Sequence, residues 1–318
     1  MTTPRPVSAA DGATGRGVVP RAALPTSMVL ARLMAFIGVS TVAAILAPAF
    51  LHPFLHGTTA LAGVRLIAHG AMTCVGLLAA TALTLRWFGE SWGVATGLGA
   101  AGFDQWKLFG GLAAGWFAIA MPTGVLVWIG ALRIVPAEAG SWGHAALLAA
   151  AMLGPAALAE ELMFRGYALT LLRRAWGTTA AVALSSAGFG ALHLLNAGVT
   201  AQSVFMVALA GVFLAIVRVA MESLWAAWLA HFAYNFVQLA VFHTPISGIA
   251  LPQPLYRAVS AGPDWLTGGA WGPEAGMAAA FGMLVVSLLL AILAGWVRVH
   301  RRGWRFDIDV RPIGRGES

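Results

Sequence analysis

Long apolar runs, separated by short polar or glycine- and proline-rich breaks, dominate the chain. A helix needs about 20 residues to cross a roughly 30 Å hydrocarbon core. Eight runs approach that length, at approximately 28–50, 62–85, 108–132, 144–172, 177–196, 201–217, 222–242 and 274–297. The pattern predicts an all-α fold, a polytopic membrane helical bundle of about eight transmembrane helices. The fourth run is long enough to project beyond the core at one end. Segment 87–107 is too rich in glycine to be read as a span, and is expected along the cytoplasmic interface with Trp87, Trp92 and Trp106 at headgroup level. Gly89, Gly93 and Gly97 there have small-xxx-small spacing, which a glycine-rich chain produces readily. The stretch 243–273, rich in Pro, Gly and aromatic residues, is expected as an interfacial cap.

Charge supports this reading. Only 10% of the 318 residues are charged and 59% are hydrophobic, whereas soluble domains carry about 25% charged residues. The arginines gather at the ends of the runs and in the tails. Arg298, Arg301, Arg302, Arg305, Arg311 and Arg315 follow the last run. One set of loops carries Arg86 with Lys107, Arg173 with Arg174, and Arg218; the other carries only Arg133 and Arg257, with Arg65 near a helix end. Basic loops stay in the cytoplasm, so an even number of spans with both termini cytoplasmic is expected. Residues 1–27, with Arg5, Arg16 and Arg21, read as a disordered cytoplasmic N-terminal tail. Residues 28–297 form a single transmembrane domain, and 298–318 a basic cytoplasmic tail. The net charge of +7 is spread over loop ends, without the basic and aromatic interleaving that binds single strands, so no nucleic-acid partner is expected. The lipid bilayer is the expected surrounding, and Arg- and Ala-rich, Lys-poor usage suggests a bacterial inner membrane. Cys74 stands alone, with no disulfide partner and no Cys/His metal motif.

Against this background two adjacent acids, Glu160 and Glu161, are costly. A carboxylate near the bilayer centre costs several kcal/mol unless paired, hydrated or protonated. On a helix Glu161 shares a face with Arg165, four residues on, whereas Glu160 is turned about 100° away. Two other runs carry polar residues at the same spacing: Phe189 with His193, and His231 with Asn235. Measured from Arg173, Gly177 and Arg218 at about 1.5 Å per residue, Glu160, His193 and His231 lie roughly 20, 24 and 20 Å deep. They can therefore converge on one buried site. A carboxylate beside an imidazole can hold and deprotonate water. A second imidazole and an amide can donate to the oxyanion of a tetrahedral intermediate.

The order Glu-Glu-x-x-x-Arg, Phe-x-x-x-His, His-x-x-x-Asn on three membrane helices resembles the CAAX protease and bacteriocin-processing (CPBP, Abi) family of intramembrane glutamic-type endopeptidases. The resemblance covers about 144–243. It implies an eight-helix bundle with Glu160 as catalytic base, His193 as its partner, and His231 and Asn235 as the oxyanion pair. Glu161, Arg165 and Phe189 would be supporting residues. It also implies a peptide or protein substrate at the membrane, such as a prenylated CAAX tail or a leader peptide.

Other readings stay open beside it. Ser185 and Ser186 lack a Gly-x-Ser-x-Gly context, which disfavours serine chemistry. No cofactor is expected; the alternative is a zinc ion on Glu160, His193 and His231. A non-proteolytic scaffold or immunity factor of the same fold is the competing class. Proton-coupled transport is disfavoured by the lack of paired broken helices. No oligomeric state is assigned. His52, His56, His69, His144, His243 and His300 are expected to be outside the chemistry.

Overall fold

The computed structural model describes residues 24–51, 62–249 and 254–301. Most of both expected tails, with His52 and His56, lies outside these residues. The described chain is a helical membrane bundle. Six of its helical segments are long and apolar enough to cross a membrane: Thr26–Phe50, Val64–Phe88, Gln105–Trp128, Trp142–Leu195, Ala201–Met221 and Met277–Gly295.

The expected fourth and fifth runs fall within one continuous segment of 54 residues, Trp142–Leu195. Helix α5 (Trp142–Glu161) is capped by Ser141, whose hydroxyl accepts from the His144 amide at 3.4 Å. It passes into a π-helical turn, Leu162–Gly166, and then into α6 (Tyr167–Leu192). Inside α6 the chain breaks at Gly177, with φ 83° and ψ 173°. That left-handed backbone suits a residue without Cβ, and it falls at the division between the two runs.

The remaining elements pack around this segment. Helix α1 (Thr26–Leu51) lies on α2 (Ala62–Phe88), and α2 lies on α5. Helix α7 (Ala201–Met221) lies on α6, and the final helix (Met277–Arg301) lies on α7. Segment 87–107 forms α3 (Trp92–Thr96) and a 3-10 turn at Ala100–Gly102. It does not lie free: the Arg218 guanidinium donates to the Thr96 carbonyl at 3.3 Å, and the Ser223 hydroxyl to the Gly102 carbonyl at 2.6 Å. Gly97 meets the Arg218 guanidinium and Gly93 meets Gly99, so the glycine spacing serves a folded loop. Trp87 and Trp106 remain exposed, as expected of headgroup residues, while Trp92 is partly buried.

The seventh run is shorter than expected. Helix α8 (Leu224–Phe236) is prolonged by a π-helical turn, Val237–Val241. It runs through the middle of the bundle, with Ala226, Ala227 and Ala230 fully buried. It packs on α4 (Gln105–Trp128). A Cβ placed on Gly111 or Gly115 would collide with the backbone of Ala226 or Ala230. The absent side chains let the two helices touch backbone to backbone. Gly115→Val is therefore expected to lower the melting temperature in detergent by the equivalent of about 1–3 kcal/mol, whereas Gly124→Val, where nothing lies near, should be nearly neutral.

An antiparallel ribbon was not anticipated. Strand β1 (Leu132–Pro136) pairs with β2 (Tyr256–Ser260), from Leu132 opposite Ser260 to Pro136 opposite Tyr256. Helix α4 stops at Trp128 and Gly130 turns the chain with φ 76°, so Leu132, expected as the end of the third helix, begins a strand. Beyond β2, α9 (Asp264–Thr267) and two 3-10 turns, Gly269–Trp271 and Pro273–Ala275, lead into α10 (Met277–Arg301). These pieces occupy the stretch expected as a cap.

Candidate active site

Four helices and two connecting segments line a cavity of about 40 Å³. Glu160 from α5, Phe189 and His193 at the end of α6, and His231, Tyr234 and Asn235 from α8 line it, with Ser247 and Glu274 completing the wall. Apolar side chains of α7, among them Val207 and Leu214, fill the remaining side. The polar residues singled out from three separate runs thus meet in one place. A cavity of this size has room for about three or four water molecules at most, at roughly 10–15 Å³ each.

The supporting layer is built around Arg165. Its side chain is fully buried and sits 3.3 Å from the Glu161 carboxylate, which is also fully buried. The same guanidinium donates to the Gly211 carbonyl at 3.1 Å and stacks over the Phe189 ring at 4.2 Å. The pair expected from the i, i+4 spacing is formed, although Arg165 itself sits in the π-helical turn Leu162–Gly166. Single π turns frequently mark functional sites. Phe189 binds the layers together: its ring contacts His193 at 4.9 Å and meets His231 edge-on at 5.9 Å.

The two imidazoles differ in their anchoring. His193 donates from Nδ1 to its own helix, to the Phe189 carbonyl at 2.9 Å. A neutral His193 then presents Nε2 as an acceptor. His231 donates from Nδ1 to Glu161 Oε1 at 3.0 Å, and its Nε2 lies 3.9 Å from Glu160 Oε2. His231, expected at the oxyanion side with Asn235, is therefore also the imidazole nearest the two acids. Glu161 serves two partners at once, holding Arg165 and orienting His231. Glu160 keeps a third of its side-chain surface exposed, whereas Glu161 keeps none. The two acids are unequal, as helical geometry predicts.

Three wall residues escaped the reading of the sequence. Tyr234 lines the cavity with a buried hydroxyl that has no hydrogen-bond partner in the protein. It sits beside Asn235, inside the His-x-x-x-Asn spacing but not one of its defining positions. Ser247 and Glu274 lie in a stretch with no helical period to reveal them. Among the other histidines, His243 lies away from the cavity, its Nδ1 donating to the Tyr256 carbonyl at 2.7 Å. Ser185 donates to the Val182 carbonyl within its own helix at 3.3 Å. Among the described residues, no three His, Cys, Asp or Glu side chains are disposed to hold a metal ion.

Residues 141–237 match the family model of the Rce1-like type II CAAX prenyl endopeptidases. That segment is similar to the domain of these endopeptidases. No curated protein and no solved structure matches the chain. The CAAX-protease match opens at the cap of α5 and closes at the start of the π-helical turn after α8. It takes in Glu160, Glu161, Arg165, Phe189, His193, His231 and Asn235. It stops short of Gln238, Ser247 and Glu274. With its apolar helices, the chain is an integral membrane protein with a segment similar to the CAAX-protease family.

Proposed function

We propose that this protein is an intramembrane endopeptidase that cleaves a peptide bond of a membrane-associated substrate, of the prenylated CAAX or leader-peptide kind. The observation that carries the proposal is the small cavity in which a half-buried glutamate and two differently anchored imidazoles surround space for water. In this reading the bundle crosses the membrane eight times. The break at Gly177 divides the long segment into two spans, and α8 with its π turn supplies another. Both termini then lie in the cytoplasm of a bacterial inner membrane.

The mechanism follows from donors and acceptors. Water is held between the Glu160 carboxylate and the Nε2 acceptor of His193. Glu160 removes a proton as the water oxygen attacks the scissile carbonyl carbon. The carbonyl π electrons move to oxygen, giving a tetrahedral oxyanion. His231, fixed by Glu161, donates to that oxyanion from Nε2 in its protonated form, and the Asn235 amide donates beside it. Collapse breaks the C–N bond, and the proton on Glu160 passes to the departing amine. One water is consumed, and a carboxylic acid and an amine leave. The cavity is too small for a peptide, so the scissile carbonyl enters where Glu160 is exposed.

The test is cleavage of a farnesylated CAAX peptide and its unprenylated counterpart by purified protein in liposomes, read by mass spectrometry. Products displaced by one water support the reading, and intact peptides from both would count against it and favour the scaffold class. Cleavage is expected to persist undiminished in excess chelator. Loss in chelator with recovery on added zinc would sink the water–glutamate mechanism.

A further inference from the structure

The cavity has a second acidic wall, beyond the matched segment. Glu274 lies in the Pro273–Ala275 turn and is 6% exposed. Its Oε1 accepts from both the amide and the hydroxyl of Ser247, at 2.6 and 2.8 Å. Its Oε2 accepts from the Gln238 side chain at 3.4 Å, and its amide donates to the Gln238 carbonyl oxygen of the side chain at 3.2 Å. With both oxygens engaged, this carboxylate is a clamp and not a free base.

What it clamps leads back to the chemistry. Ser247 has φ 49°, a left-handed conformation that a residue with Cβ adopts only when held. The Ser247 carbonyl accepts from the Asn196 side chain at 3.2 Å. Asn196 in turn donates its own amide to the His193 carbonyl at 3.1 Å. A line of hydrogen bonds thus joins Glu274 to Ser247, Asn196 and His193. On its other side Glu274 holds Gln238, in the π turn that continues the helix of His231 and Asn235.

We propose that Glu274 is a positioning residue for the reaction, setting the turn that carries His193 against the helix that carries His231 and Asn235. The inference rests on the protease reading. A carboxylate suits the place because it accepts from every side. An amide would set its NH₂ group against the donors of Ser247 or of Gln238.

The experiment compares wild type, Glu160→Gln, Glu274→Gln and the exchange Glu274→Gln/Gln238→Glu in liposomes, using the farnesylated CAAX peptide. Glu274→Gln is expected to lower kcat about 10- to 100-fold, with KM and detergent melting temperature nearly unchanged. The exchange restores an acceptor opposite a donor and should recover most of kcat. Hydrogen exchange of the full chain should show the Ser247 and Asn196 amides opening faster in Glu274→Gln and protected again in the exchange variant. Wild-type kcat in Glu274→Gln, a loss that merely tracks melting, or failure of the exchange to recover kcat overturns the positioning role while leaving Glu160→Gln as the test of the protease. A wild type that cleaves no probe overturns both.

Discussion

Glu160→Gln should cut kcat by about 10²- to 10⁴-fold, the span that a positioned general base contributes, while the protein melts where wild type does. The substitution keeps size and shape and removes the basic oxygen. Stability should hold because Glu160 has a third of its side chain exposed and its nearest polar contact, His231 Nε2, lies at 3.9 Å, too far for a hydrogen bond. The neighbouring acid is placed in the opposite manner. The measurement is single-turnover cleavage of the farnesylated CAAX peptide, with melting followed in the same detergent. Wild-type turnover in Glu160→Gln would remove the water-activating role from this residue. Equal loss of turnover and folding would mean that Glu160 is structural. His193→Ala provides the companion readout, because it removes the Nε2 acceptor, and the interactions lost with it are the Nδ1 bond to the Phe189 carbonyl and the ring contact with Phe189, both within its own helix.

How much of this was legible in the sequence depends on the range of the interaction involved. The Glu161–Arg165 pair is local, so spacing alone placed it, and the bias of apolar residues placed the helices that carry it. The meeting of α5, α6 and α8 is long-range, and depth arithmetic brought Glu160, His193 and His231 to a common level without saying which imidazole would face which acid. The π turn at Leu162–Gly166, which carries Arg165 between Glu161 and α6, leaves no periodic trace in the sequence. The β1–β2 ribbon was hidden for a related reason. Strands of five residues are too short to show alternation, and Leu132 continued an apolar run. Glu274 lay furthest from view. Its partners Ser247 and Gln238 are 27 and 36 residues away, and no local pattern joins them.

Arg165 and Glu161 give the other large effect, and here stability and turnover should separate. Arg165→Leu leaves the Glu161 carboxylate fully buried with only His231 to answer it, and removes the bond to Gly211 that ties the π-helical turn to α7. Breaking a buried pair from one side costs about 3–5 kcal/mol, a shift readily seen as a lower melting temperature. The double variant Glu161→Leu/Arg165→Leu removes both charges together. Burying two apolar side chains in their place is often neutral or stabilising, so the double variant should melt well above the single one. Turnover should not return with it. His231 would lose the acceptor of its Nδ1 proton, and with it the orientation and the negative charge that keep Nε2 a donor toward the oxyanion. A double variant that regains both stability and activity would show that Glu161 only neutralises Arg165. One that regains stability alone places Glu161 behind His231 in the chemistry, and makes the two adjacent acids parts of one device: Glu160 handling the water, Glu161 aiming the imidazole that receives the negative charge.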